Sequence, residues 1–110
     1  MTPAKVDLNL IQGATYRRAF RVRADLTGVT GRMQLRDRIG GALLATLDAA
    51  NGGLTITPGA ETSEGLILIA KTITATLTVD SVYDVFFDYL DGSSQMVIYG
   101  RGVLHKRVTE

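Results

Sequence analysis

SVYDVFFDYLDGSSQMVIYGRGVL, residues 81–104, is the stretch of the chain that decides the fold. Its first ten residues alternate between two faces, which is the period of a half-buried β-strand. One face carries Tyr83, Val85, Phe87 and Tyr89, and the other carries Val82, Asp84, Phe86 and Asp88. Residues 91–94, Asp-Gly-Ser-Ser, tolerate positive φ between two β-rich runs. The stretch therefore predicts a β-hairpin whose aromatic face is covered by the rest of the chain.

Length and composition point to one folded domain over residues 1–110. The chain is 45% hydrophobic and 21% charged with a net charge of +1, which is typical of a globular protein. It has no cysteine and a single histidine, His105, so we expect no disulfide, no metal site and no cofactor. No apolar run approaches the roughly 18 residues of a membrane span, and the N-terminus lacks the apolar core of a signal peptide. We expect synthesis in the cytoplasm and no membrane partner.

The pattern in the first third of the chain predicts three strands separated by turns. Strands are predicted over residues 6–11, over 15–24 and from about Thr30. Asp25-Leu-Thr-Gly28 is predicted to form a turn, because the aspartate can accept hydrogen bonds from backbone two residues on and glycine can leave at positive φ. The residues expected to face inward are Tyr16, Phe20, Val22, Met33 and Leu35.

The middle of the chain continues in short segments. Residues 42–49 fit a strand or a turn of helix, and 54–57 fit a strand ended by Pro58. The polar residues 61–65 are predicted to be a loop, and the apolar run 66–70 a strand covered on both sides. Residues 71–79 fit a short helical or irregular crossing, and the charged residues 105–110 are expected to fray. We predict an all-β, antiparallel sandwich of about six to eight short strands, with one helical turn near 71–79.

A short motif within the hairpin resembles one seen in immunoglobulin-like domains. Asp80-Ser-Val-Tyr-Asp-Val85 is similar to their tyrosine corner, which would make Tyr83 the corner residue. The chain lacks the cysteine pair and the tryptophan of antibody domains. The resemblance implies an Ig-like sandwich without the antibody core, and the alternative is that Tyr83 is an ordinary inward strand residue.

No combination of residues in the sequence nominates a catalytic centre. His105 has no evident partner for general-base chemistry. Asp84 and Asp88 are four residues apart on one strand, or about 13 Å, which is too far for a glycosidase pair. Gly100-Arg-Gly102 has no helix after it and fits a bulge or a close backbone contact. We therefore predict that the protein is not an enzyme.

Charge is distributed unevenly along the chain. Residues 16–38 contain seven arginines and two aspartates, a net charge of 7 − 2 = +5, whereas aspartates predominate over residues 80–91. Three interpretations remain open: ion pairs within the domain, a nucleic-acid face, or complementary patches between subunits. Nucleic acid ranks last because few aromatic residues lie among the arginines. The candidate interface residues are Arg17, Arg21, Arg23, Arg32, Arg36, Asp84 and Asp88.

The order of the motifs resembles a group of phage proteins. QGATY at 12–16, DLTG at 25–28, RMQLR at 32–36, NGGL at 51–54, VYDV at 82–85 and GVL at 102–104 occur in that order. This is similar to small virion proteins of tailed phages and prophages, and to the N-terminal domain of siphophage baseplate upper proteins. The resemblance implies a structural protein of the virion, made in the host cytoplasm, that contacts other virion proteins and copies of itself.

Two other functions stay open beside this one. The resemblance places the protein at the tail, the baseplate or the fibre attachment, and the first alternative is a protein that decorates the capsid. The second is a receptor- or carbohydrate-binding module, since sandwich loops often present ligand sites. An aromatic content of 6% without tryptophan weakens a site that stacks on sugars.

Overall fold

Two β-sheets and one short helix make up the computed structural model, which describes residues 3–106. The strands and the helix follow in the order β1 (Ala4–Lys5), β2 (Leu8–Ile11), β3 (Tyr16–Val22), β4 (Thr30–Arg36), β5 (Leu43–Asp48), β6 (Leu54–Thr57), β7 (Ser63–Ile69), α1 (Lys71–Thr74), β8 (Ser81–Asp88) and β9 (Ser94–His105). The nine described strands are one more than the upper end of the predicted range, because β1 precedes the strand expected over residues 6–11, which is present as β2.

The two sheets have the strand order of an Ig-like sandwich. The larger sheet runs β1-β9-β8-β4-β5, with β2 also paired to β9, and the smaller sheet runs β3-β7-β6. β1 and β2 lie parallel to β9, whereas all other described pairs are antiparallel. The all-β, Ig-like class predicted from the sequence is confirmed, with the parallel first strands as its one departure from antiparallel pairing.

The predicted hairpin is present and its aromatic face forms the centre of the core. β8 pairs with β9 around a five-residue loop in which Gly92 has φ of +89°. Along β8, Tyr83, Val85 and Phe87 are buried, and the residues between them are only half-buried. Phe87 stacks on Phe20 of the smaller sheet with 6.5 Å between ring centroids, so this aromatic contact joins the two layers.

The apolar run at residues 66–70 was wrongly predicted to be covered on both sides. β7 alternates strictly, with Ile67 and Ile69 buried, while the side chain of Leu66 remains 36% exposed. The reason is architectural, because no described element packs on the outer surface of the smaller sheet. The predicted loop 61–65 is also shorter than expected. β7 begins at Ser63, whose buried hydroxyl donates to Ala24 O and accepts from the N–H of Leu26.

The ambiguous segments resolve into one strand and one helical turn. Residues 43–48 form β5, and the short helical crossing predicted for 71–79 is present as α1. The buried hydroxyl of Thr74 donates to Ala14 O at 2.8 Å, which ties α1 to the turn before β3. His105 is paired in β9 with Ile11, so the fraying predicted from residue 105 does not begin there. Residues 107–110 lie outside the described residues.

The Asp25–Gly28 segment forms the turn that its composition predicts. The Asp25 carboxylate accepts hydrogen bonds from both the hydroxyl and the backbone N–H of Thr27. These bonds, led by the one from the hydroxyl, lower the pKa of Asp25 below its usual value. Gly28 has φ of +78°, a conformation that glycine adopts without steric cost.

Tyr83 has a different role from that of a corner tyrosine. A corner tyrosine donates to backbone a few residues upstream, but the Tyr83 hydroxyl donates to Val6 O at 2.5 Å. Val6 lies between β1 and β2, and its own N–H donates to Tyr99 O. The tyrosine-corner assignment is therefore wrong, because Tyr83 reaches across β9 to hold the N-terminal strands.

We expect Tyr83→Phe to change how stability depends on alkaline pH. Burial, reinforced by Tyr16 and opposed by Arg18, raises the pKa of Tyr83 to about 12. An unfolded tyrosine loses its proton near pH 10, so between pH 10 and 12 the unfolded state holds fewer protons and the free energy of unfolding falls. Phenylalanine has no proton to lose, so in Tyr83→Phe the free energy of unfolding should decrease less between pH 10 and 12. Denaturant titrations of wild type and Tyr83→Phe between pH 9 and 12 measure the difference.

Candidate protein-binding face

The outer surface of the larger sheet, here called the outer face, carries side chains from β4, β8 and β9. Alternation places them there, because the residues between them, such as Met33 and Val85, are buried in the core. Cross-strand pairing sets Arg32 beside Phe86, Gln34 beside Asp84, and Asp84 beside Tyr99. The outer face is made up of Arg32, Gln34, Arg36, Val82, Asp84, Phe86, Asp88, Met96, Tyr99 and Arg101.

An open hollow of about 470 Å³ occupies the part of the outer face that lies against the β4–β5 loop. Val82, Met96 and Tyr99 supply apolar surface, and Ile39 from the loop stands 91% exposed at its border. The charged and polar groups that line it come from Lys5, Gln34, Arg36, Asp84 and Arg101. The hollow therefore offers apolar contact and both signs of charge within one concave surface.

At one end of the outer face the charges neutralise each other within the chain. Arg32 Nε donates to the Asp88 carboxylate at 2.9 Å, and its guanidinium lies 4.7 Å from the centre of the Phe86 ring. Asp88 also accepts a hydrogen bond from the Ser94 hydroxyl. The Ser94 bond and then Arg32 lower the pKa of Asp88 below its usual value. Asp88 thus pairs inside the domain, as the first of the three charge interpretations predicts.

Asp84 is in a different environment, although it lies on the same strand and face. Within residues 3–106 its carboxylate forms no hydrogen bond and no ion pair. Partial burial raises its pKa, and the charges of Arg32 and Arg36 only partly oppose this. The Arg36 guanidinium donates instead to Gly41 O at 2.9 Å and to Gln34 Oε1 at 3.2 Å. A negative and a positive group therefore line the hollow without neutralising each other directly.

The sequence-predicted interface residues fall on two opposite sides of the sandwich. Arg32, Arg36, Asp84 and Asp88 lie together on the outer face. Arg17 and Arg21 belong to β3 of the smaller sheet, where Arg21 lies 3.5 Å from Glu64, and Arg23 follows the end of β3. The seven residues do not form one patch, because β3 and β4 are neighbours in sequence but belong to different sheets.

Sequence reasoning missed several residues of the hollow, among them three large side chains that supply much of its apolar surface. Met96 and Tyr99 were assigned only to a strand, and Ile39 was not singled out. Ile39 lies just before Gly40, where the chain turns with φ of +73°. In the sequence, the only hint of an exposed isoleucine was its position next to the Gly40-Gly41 pair, which indicates a loop. Met96 faces outward with Phe86 because a register shift after Val85 adds one residue to β9. No local pattern in the sequence marks that shift.

The two aspartates should respond to acid in opposite ways. Asp84 has a raised pKa in the folded state, so protonation on acidification favours the folded state. Asp88 has a lowered pKa, so its stabilisation is present above about pH 4 and is lost as the pH falls below that value. We expect Asp84→Asn to preserve stability at pH 7 and to steepen the loss in acid, and Asp88→Asn to reduce stability at pH 7 and to flatten that loss. Denaturant titrations between pH 2 and 7 test both.

Metal binding and membrane spanning find no support in the part of the chain that the structure describes. Residues 3–106 contain no group of three or more His, Asp or Glu side chains placed to hold a metal ion. Over the same residues, no helix combines the length and hydropathy needed to cross a bilayer.

Comparisons with known proteins give a similarity to a solved structure and no family. No protein-family model matches the chain, and no curated protein matches it. Among solved structures it is similar to the ZIG-8–RIG-5 IG1–IG1 heterodimer, with 12% sequence identity, 92% of this chain and 84% of that chain covered, and a TM-score of 0.37.

Proposed function

We propose that the protein is a non-enzymatic structural component of a tailed-phage virion and that it acts by binding other proteins through the outer face. Its place would be the tail, the baseplate or the fibre attachment. The virion part of this proposal depends on the order of sequence motifs, and the binding part depends on the geometry of the outer face.

The observation that carries the binding proposal is the mixed composition of the hollow. Aromatic residues, methionine and arginine are enriched at protein interfaces, and the outer face combines all three in Phe86, Tyr99, Met96 and Arg36. Asp84 adds a carboxylate that the described residues leave unpaired. A partner that places a cationic side chain beside Asp84 and apolar groups on Tyr99 and Met96 would satisfy this surface.

Copy number in purified particles tests the virion proposal and separates it from the first alternative. Quantitative mass spectrometry of virions from the source strain should find tens of copies or fewer per particle for a tail, baseplate or fibre position. Hundreds of copies would instead indicate a capsid decoration protein. Absence from the particles would refute both.

A charge-reversed variant tests the outer face. Asp84→Lys should reduce incorporation into particles, because it places a positive charge in the proposed contact. Glu61→Lys is the matched control, since it makes the same change at an exposed loop residue away from the hollow. Both variants should fold as judged by circular dichroism. Equal incorporation of the two variants would contradict binding through the outer face.

Carbohydrate binding is the second candidate, and one feature of the hollow favours it. Tyr99 could stack on a sugar ring while Gln34, Arg36 and Asp84 hydrogen-bond its hydroxyl groups. Glycan-array binding by the isolated protein, abolished by Tyr99→Ala, would favour this candidate over the structural one. A blank array would leave the protein-binding proposal in place.

A further inference from the structure

A second surface, separate from the outer face, lies along the free edge of β3. This strand is the end of the smaller sheet and pairs only with β7 within residues 3–106. In an antiparallel edge strand, every second residue directs its N–H and C=O groups away from its single partner. The seven residues of β3 therefore present a row of backbone donors and acceptors to any strand that lies beside them.

The other edges of the two sheets are less suited to accept a strand. β6 has four residues and is followed by Pro58. The edge formed by β1 and β2 is broken between Lys5 and Leu8, and β5 has an irregular register where it pairs with β4. Short strands, proline and bulges all weaken pairing at an edge. β3 is thus the longest regular free edge in the described part of the chain.

A cleft of about 110 Å³ opens between the two sheets beside this edge. Arg18 and Phe20 of β3 line one side, and Val6 and Leu8 of the N-terminal strands line the other. The walls of the cleft are mainly apolar. A strand added to β3 would direct alternate side chains towards the cleft, so the same segment could satisfy the backbone edge and fill the opening.

The charge of the edge indicates what kind of strand would fit. Arg17, Arg18 and Arg21 lie on β3, and Arg23 follows it. Only Arg21 has a carboxylate partner among the described residues, Glu64 at 3.5 Å, and both side chains of that pair are well exposed. The edge therefore lacks negative charge, and opposite charges on adjacent strands stabilise pairing.

We propose that the β3 edge accepts an extended segment of a partner protein in which acidic residues alternate with apolar ones. Its backbone pairs with β3, its apolar side chains enter the cleft beside Arg18 and Phe20, and its carboxylates lie on the opposite face beside Arg17 and Arg21. Arginines on an edge also occur as protection against aggregation, but that role requires neither a cleft nor an acidic partner. This proposal does not depend on the outer face.

Peptide binding to the full chain tests the proposal. The probe is a capped heptapeptide, Val-Glu-Val-Glu-Val-Glu-Val, and its control has lysine at each glutamate position. We expect the acidic peptide to slow hydrogen exchange at the outward amides of residues 16–22 by at least roughly tenfold when it is bound, and to shift the NMR signals of Val6 and Leu8. Failure of the acidic peptide to protect these amides, or equal binding of the lysine peptide, would overturn the proposal.

A pair of variants separates recognition from a general effect of charge. Arg17→Gln combined with Arg21→Gln should weaken binding of the acidic peptide by roughly tenfold, or about 1.4 kcal/mol, because both charges that face the carboxylates are lost. Arg38→Gln removes an exposed arginine on the β4–β5 loop and should leave binding unchanged. Equal weakening by both variants would overturn the proposal. Self-association of the double variant without any peptide binding by wild type would assign the arginines a protective role only.

Discussion

Replacing Phe87 by alanine is expected to lower the free energy of unfolding by about 3 to 5 kcal/mol, the usual range for removal of a buried phenylalanine. Phe87 is fully buried near the end of β8, and its ring stacks on Phe20 across the two layers. The truncation leaves a cavity where the Phe20 and Phe87 rings join the two sheets. The free energy of unfolding of a natural protein is commonly about 5 to 15 kcal/mol. The substitution would therefore remove a large part of the total.

Urea titration followed by circular dichroism measures the effect of Phe87→Ala. Leu90→Ala is the control, because Leu90 follows β8 by two residues but is 84% exposed. We expect its free energy of unfolding to change by less than about 0.5 kcal/mol, as for other surface substitutions. Comparable losses in the two variants would show that the hairpin does not form the core as described.

Gly100→Ala is the second substitution with a large expected effect, because the backbone of Val6, between β1 and β2, occupies the space that the new side chain would take. A Cβ atom at residue 100 would lie 2.1 Å from Val6 O. This oxygen also accepts the hydrogen bond from the Tyr83 hydroxyl, so the N-terminal strands must move away from β9. We expect a cost of about 1 to 3 kcal/mol for the steric clash, and about 1 kcal/mol more for the lost hydrogen bond.

Gly92→Ala is the matched control, because the same substitution is unfavourable there through backbone conformation and not through a steric clash. Gly92 has φ of +89°, and a Cβ atom added there would enter open space, so alanine suffers only the backbone cost of about 1 to 2 kcal/mol. Hydrogen exchange separates the two variants by location. Gly100→Ala should expose the amides of β1 and β2, whereas Gly92→Ala should affect only the turn between β8 and β9. Retained protection of β1 and β2 in Gly100→Ala would contradict the close contact.

Local patterns predicted much of the fold but not which layer each strand joins. The alternation in residues 81–88 predicted the buried face of β8 correctly, because side-chain direction in a strand depends on sequence position alone. The run at 66–70 was misread, since Leu66 and Ile67 are equally apolar although only Ile67 faces the core. Whether a second layer covers a strand is a tertiary property, and a continuous apolar run does not reveal it.

The same limit applies to the candidate site. The excess of arginine after residue 16 was visible in the sequence, but β3 and β4 enter different sheets and carry their arginines to opposite sides. The sequence also could not distinguish Asp84 from Asp88. Asp88 lies opposite Ser94 and beside Arg32, whereas Asp84 lies between Gln34 and Tyr99, so cross-strand register determines which one is neutralised. The virion function stays a prediction.

The pairing of the first strands with the last one has a consequence for biosynthesis. β2 binds the C-terminal part of β9, from Gly102 to His105, so residues 8–11 have no partner until residue 105 has left the ribosome. Contacts between such distant segments slow folding. The nascent chain must therefore keep Leu8 and Leu10 exposed while nearly the whole sheet is being translated. We infer that the larger sheet is completed only after β9 has been synthesised, and that the unpaired N-terminal segment is where chaperones would act on the nascent chain.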